Sequence, residues 1–146
     1  MKLYLCCGRK TGVKDPSAWL GIDNDPKVYP DLLADVRTLS PWMFPGLEEV
    51  LATPLCGGFT ELPWRHATGE GLDVLMACWD FCNDAGVPWL LENSRFAQKW
   101  LGPADFHRGP HYFWSRGMGL IPVFTHYKGG TSGLDPLKRA AMPRML

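Results

Sequence analysis

Short apolar runs that break off into acids, glycines or prolines constrain this chain most. "KLYLC" (2–6), "AWLGID" (18–23), "EEVLAT" (48–53) and "VPWLLEN" (87–93) each have the length of a buried strand. A further short segment, "DLLADV" (31–36), ends near Asp35, and "HYFWS" and "LIPVF" read as later strands. Between 69 and 86, Leu72, Leu75, Met76, Trp79 and Cys82 recur near the helical period, and Gly86 follows as a stop signal. Strands alternating with a helix or a long connection predict an α/β fold with a mostly parallel sheet.

Length and composition narrow the classes that remain. At 146 residues the chain is expected to be one domain spanning 1–146, too small for a catalytic domain plus a sizeable recognition domain. With 46% hydrophobic and 21% charged residues it has the composition of a soluble globular protein. No run approaches the roughly 18 apolar residues of a membrane span, and the apolar start is too short for a signal peptide. A cytoplasmic location is therefore expected, in the host if the chain is phage-encoded. The five cysteines contain no Cys-x-x-Cys pair, which argues against a disulfide framework or structural zinc, and the histidines show no metal spacing. Cys78 and Cys82 read as small buried hydrophobes. Residues 1–94 carry 7 basic and 13 acidic side chains, net −6, and residues 95–146 carry 8 and 2, net +6. That asymmetry hints at a polyanion met by the second half, although both charge sets also serve simply to solvate the surface.

In a parallel sheet, ligands bind beyond the carboxyl ends of the strands. Cys6 and Gly8, Asp23, Asp35, Cys56 and Glu92 all fall at predicted strand ends, so five chemically useful positions share one edge. A glycine turn after the first strand admits a ligand close to the backbone. Asp23 is placed to accept from ribose hydroxyls and Asp35 from an adenine amino group. Together they suit an adenosine-bearing cofactor, and S-adenosylmethionine better than a dinucleotide, because "CCGRKTG" has no phosphate-cradling pattern. Helix capping or turn formation explains the two aspartates equally well. Cys56, past the fourth strand and before "GGFT", suits a thiolate nucleophile, with a buried core cysteine as the alternative. Glu92 and Asn93 offer a carboxyl and an amide at a neighbouring strand end, and a structural hydrogen-bond network is the plain alternative for Glu92. A thiolate and a carboxyl beside an adenosine cofactor are what alkylation at C5 of a pyrimidine needs.

At these residues the chain resembles the DNA (cytosine-5) methyltransferases, most closely their compact, phage-type members. "ATPLCGGFT" resembles the family's Pro-Cys-x-x-Phe-Ser loop, and "LLENSRFAQKWLG" its Glu-Asn-Val strand end. "RGPHYFW" and "SGLDPLKRAAMP" resemble later segments, and before Leu51 the similarity is loose. The resemblance implies a Rossmann-like methyltransferase fold with S-adenosylmethionine as cofactor. Cys56 would attack C6 of cytosine, Glu92 would engage N3 and the exocyclic amine, and Asn93 would support the loop. Asp23 would bind the ribose, Asp35 the adenine, and Cys7 and Gly8 would face the methionine end, with Pro54 also on the cofactor side. A base within a duplex would have to flip out first.

The chain departs from the family at several points. Leu55 stands where the family has the proline before its nucleophile, and Ser94 where it has valine. The Phe-x-Gly-x-Gly turn is replaced by Leu5-Cys6-Cys7-Gly8-Arg9, and no target-recognition domain fits. The arginine-rich strand motif is not evident, and Arg108 or Arg116 are the candidates to replace it. Arg95, Lys99, Arg108 and Arg116 are candidates to track phosphates, although each is also an ordinary solvated cation. Trp64, Trp89, Trp100 and Trp114 read mainly as core. The partners expected are duplex or single-stranded DNA, with an accessory recognition subunit or a second copy in place of the missing domain, and no membrane or metal. Two alternatives stay open. One is a related Cys/Glu enzyme using a free cytidine nucleotide or a modified S-adenosylmethionine donor. The other is a degenerate protein that binds cofactor or DNA without catalysis.

Overall fold

The computed structural model describes residues 1–10, 13–55 and 69–118. Within them lie β1 (Lys2–Leu5), β2 (Trp19–Asp23), β3 (Leu32–Leu33), β4 (Glu49–Ala52), α1 (Gly69–Asp84), β5 (Trp89–Asn93), α2 (Gln98–Leu101), β6 (Phe106–Arg108) and β7 (His111–Arg116). The strands form one seven-stranded sheet in the order β3-β2-β1-β4-β5-β7-β6. The first five in that order are mutually parallel, and β7 runs antiparallel to both β5 and β6. The protein is thus a mixed α/β structure on a mostly parallel sheet.

Both faces of the sheet are covered, which is why the strands read as near-continuous apolar runs rather than alternating ones. On one face Leu3, Leu5, Ile22, Val50, Ala52, Leu91 and Trp114 pack with Leu75, Cys78, Phe81 and Cys82 of α1. On the other, Tyr4, Trp19, Leu51, Leu90 and Phe113 cluster with Cys7 and Val13. Cys78 and Cys82 are fully buried free thiols, as a small-hydrophobe reading expects. Burial pushes the Cys82 thiol up, and Cys78 is likewise raised, first by its contact with Cys6, whose Sγ lies 3.8 Å away.

Three differences from the sequence-based expectation have local causes. The connections flanking β2 to β4 carry 3-10 turns at Pro16–Ala18, Pro26–Val28, Val36–Thr38 and Pro41–Met43. Three of these begin on proline, which pre-sets the first turn, and such turns rarely run longer. The third strand shrinks to Leu32–Leu33 because it pairs with β2 only at Ile22 and Asp23. The Gly21 N–H is satisfied instead by the Asp31 carboxylate at 2.7 Å, which also binds Lys10 Nζ at 2.7 Å. β6 reads as loop in the sequence and becomes a strand by pairing with β7. The candidate strand "LIPVF" lies outside the described residues.

Candidate active site

The chain passes from β1 out to β2 and β3 on one side, then returns to β4 on the other side of β1. A parallel sheet that reverses direction in this way leaves a crevice beyond the carboxyl ends of the two strands at the switch, here β1 and β4. Gly8, Asp23, Asp35, Pro54, Glu92 and Asn93 all lie at or just past the carboxyl ends of parallel strands. β7 enters this edge at its amino end, because Asn93 pairs with Tyr112 and Glu92 with Phe113.

The β1 turn is tight. Cys6 and Gly8 both have left-handed φ, 53° and 52°. A side chain at Gly8 would meet nothing within 4 Å, so the turn faces open space there. The Gly8 N–H donates to Asp23 Oδ2 at 2.9 Å and the Asp25 N–H to Asp23 Oδ1 at 3.0 Å. Asp23 therefore ties the end of β2 to the β1 turn. An ionised carboxylate offers about four acceptor sites, so two remain for a ligand. Cys7 is buried, donates its S–H to the Gly8 carbonyl at 3.2 Å, and packs where a Cβ on Gly21 would approach its sulfur to 2.8 Å. Burial, then the nearby Asp23 carboxylate, pushes this thiol up to about 11, so it is a neutral packing group at physiological pH.

Asp35 caps the Val36–Thr38 turn by accepting from the Arg37 N–H at 2.9 Å. The Arg37 guanidinium also grips it, with Nη2 2.6 Å from Oδ2 and Nε 3.0 Å from Oδ1. That side-chain bond holds the Asp35 carboxyl below the usual aspartate range. Both of its oxygens are thus engaged by its own turn, which is the capping role foreseen as the alternative to adenine binding.

The loop after β4 is clamped from two sides. Thr53 N–H donates to the Leu5 carbonyl at 3.1 Å, and Thr53 Oγ1 hydrogen-bonds the Cys6 carbonyl at 3.0 Å and the Tyr4 hydroxyl at 3.1 Å. From β5, Asn93, 1% exposed, donates Nδ2 to the Pro54 carbonyl at 2.9 Å and accepts from the Ser94 N–H at 2.8 Å. Leu55 follows, 85% exposed. Cys56, Trp64 and the histidine and basic residues beyond 118 lie outside the described residues, as does "SGLDPLKRAAMP".

Glu92 meets a partner that the sequence did not flag. Its Oε1 lies 2.9 Å from His111 Nδ1, with side-chain exposures of 19% and 27%. Tyr4 stands on the same face, and burial above all pushes its phenol up to about 12, with the Glu92 charge a smaller contributor. In the sequence His111 stands out only as a histidine without metal spacing. Its place opposite Glu92 depends on β7 pairing with β5, which neither segment announces.

The four candidate cations separate. Arg95 follows β5 closely and lies over the Phe96 ring at 4.9 Å, and Lys99 of α2 lies over Trp100 at 5.2 Å. Arg108 pairs across the β6–β7 hairpin with His111, beside Glu92. Arg116 is at the other end of β7, opposite Trp89 and 6.0 Å over its ring, away from the edge that holds Glu92. Among the described residues no cluster of three or more His, Cys, Asp or Glu could hold a metal ion, and no helix is long and apolar enough to cross a membrane. Neither the profiles of known protein families nor the curated proteins contain a match to this chain.

Proposed function

We propose that the chain is an S-adenosylmethionine-dependent cytosine C5 methyltransferase acting on DNA, built on a Rossmann-like methyltransferase fold. The observation that carries the reading is the Asn93–Pro54 bond. It fastens the carboxyl end of β5, where Glu92 sits, to the loop that reaches Cys56 two residues after Pro54. The strand end that bears the acid is thereby tied to the segment that leads, in sequence, to the thiol.

Support on the cofactor side is the open turn at Gly8 and the spare acceptor capacity of Asp23. These residues fit an adenosyl group with a ribose diol, and S-adenosylmethionine would supply the methyl group there. On the substrate side the Cys56 thiolate would form the bond to C6. The ring π electrons then move toward N3, where Glu92 would supply a proton. C5 would then form its bond to the methyl group as the methyl–sulfonium bond breaks and the thioether leaves. Loss of the C5 proton to a solvent base would re-form the double bond and expel the thiolate, N3 returning its proton to Glu92. A cytosine in a duplex would leave the stack first, and Arg95, Lys99 and Arg108 would hold phosphates beside it.

Nucleoside mass spectrometry tests the reading directly. The protein is incubated with S-adenosylmethionine and, separately, duplex DNA, single-stranded DNA and dCMP. New 5-methylcytosine in either DNA, absent in Cys56→Ala, is the expected result. Product from dCMP alone would move the substrate to the free nucleotide, and silence on all three would sink the enzymatic reading.

A further inference from the structure

We propose that His111 is a positioning residue for Glu92: its imidazole holds one carboxylate oxygen so that the other is presented to the cytosine ring. The inference rests on the methyltransferase reading and adds to it a residue which that reading does not contain.

The geometry is that of an antiparallel ladder. Glu92 stands directly opposite Phe113, so His111, two residues earlier on β7, is its diagonal neighbour on the same face. The Oε1–Nδ1 separation of 2.9 Å is a full hydrogen bond, and a carboxylate can only accept, so Nδ1 carries the proton when Glu92 is ionised. Among the described residues Oε2 has no such tether, which leaves it for a ligand.

A glutamate at a strand end has three side-chain torsions to immobilise before it can meet a ring nitrogen. An imidazole borne on the adjacent strand removes most of that freedom in advance, and groups held by strands are placed more tightly than groups on loops. Neighbours do not offer the same service. Tyr4 is already bonded to Thr53, and Arg108 is exposed at the hairpin end.

The test uses single-turnover methylation with the full chain. His111→Leu should lower the rate at saturating DNA by about tenfold to a hundredfold while leaving KM for DNA within about twofold. His111→Gln, whose amide can still donate to Oε1, should recover much of that loss. The deciding arm is Glu92→Gln. Adding His111→Leu to it should produce little further loss, because a residue acting through Glu92 has nothing left to position. Equal losses in both backgrounds would show that His111 supports the fold rather than Glu92, and would overturn the inference. So would a wild-type rate in His111→Leu. If the wild-type chain itself yields no 5-methylcytosine, the methyltransferase reading is what has failed, and the inference falls with it. Thermal unfolding of each variant separates loss of rate from loss of folded protein.

Discussion

The two halves of the carboxyl edge are built differently. On the β2–β3 side, Asp35 is held by its own turn through Arg37, two residues on, although Asp23 and Asp31 reach Gly8 and Lys10 over 15 and 21 residues. On the β4–β5–β7 side, polar groups reach across the fold: Asn93 to Pro54 over 39 residues, and Glu92 to His111 over 19. A local contact forms wherever the turn forms and stabilises little beyond the turn. A long-range contact reports that two strands are already in register, and its loss leaves buried groups unpaired. Asp35 is therefore a group that closes its own turn, whereas Asn93 and Glu92 depend on strands being in register.

Asn93→Ala should break the long-range half most severely. The substitution leaves the Pro54 carbonyl and the Ser94 N–H without their partner in a site where Asn93 is 1% exposed. Each such buried group costs about 1–3 kcal/mol, so a loss of about 2–4 kcal/mol in urea unfolding is expected. A loss below about 1 kcal/mol would mean that water replaces the amide and that the β4 loop is not held by β5.

The same contrast explains what could be read from the sequence. β1, β2, β4 and β5 were legible because burial on both faces makes each a continuous apolar run. α1 was legible from its period: Leu75 and Cys82 are fully buried, and Leu72, Met76 and Trp79 pack partly buried against the core. The capping of Asp35 was foreseeable because an aspartate two residues before an arginine folds back on its own turn. His111 was not, since its meeting with Glu92 needs β7 to insert between β5 and β6. Tyr4 and Thr53 were hidden similarly, as they meet across β1 and β4 from positions 49 residues apart. β6 was missed because three residues bounded by Gly109 and Pro110 carry no strand pattern of their own. Asn93 stood out as an amide at a strand end, but nothing in "LLENS" says which carbonyl that amide finds.

Gly21→Ala probes the packing beneath the cofactor-side turn. The new Cβ would lie 2.8 Å from Cys7 Sγ and 3.1 Å from Lys10 Cδ, closer than van der Waals contact allows. Lys10 is long and able to yield, but Cys7 is buried and bonded to the Gly8 carbonyl, so the β1 turn itself must shift. A destabilisation of about 1–3 kcal/mol is expected. Cys7→Ala in the same chain removes the opposing sulfur and should restore about half of it, a non-additivity that chemical unfolding of the double variant would show. Strict additivity would mean that the clash is relieved elsewhere and that Cys7 does not brace the turn.

The smallest effect should come from Asp35→Asn, and its pH dependence is its signature. An asparagine oxygen can still cap the Val36–Thr38 turn, so only the charge on the Arg37 contact is lost. With both partners partly exposed, at 36% and 27%, that contact contributes about 0.5 kcal/mol. Arg37 lowers the carboxyl of the folded protein below its ordinary value of 3.8, so the stabilisation is complete above 3.8 and fades as pH falls through the folded value. Wild type should therefore exceed Asp35→Asn by a constant small margin at neutral pH, and the two unfolding curves should converge in acid. Asp31, lowered in the same direction by Lys10, is present in both chains and cancels in the difference. A margin as large as that of Asn93→Ala would erase the distinction between the local contact of Asp35 and the long-range contact of Asn93. It would make Asp35 a group that holds β3 in place rather than one that closes its own turn.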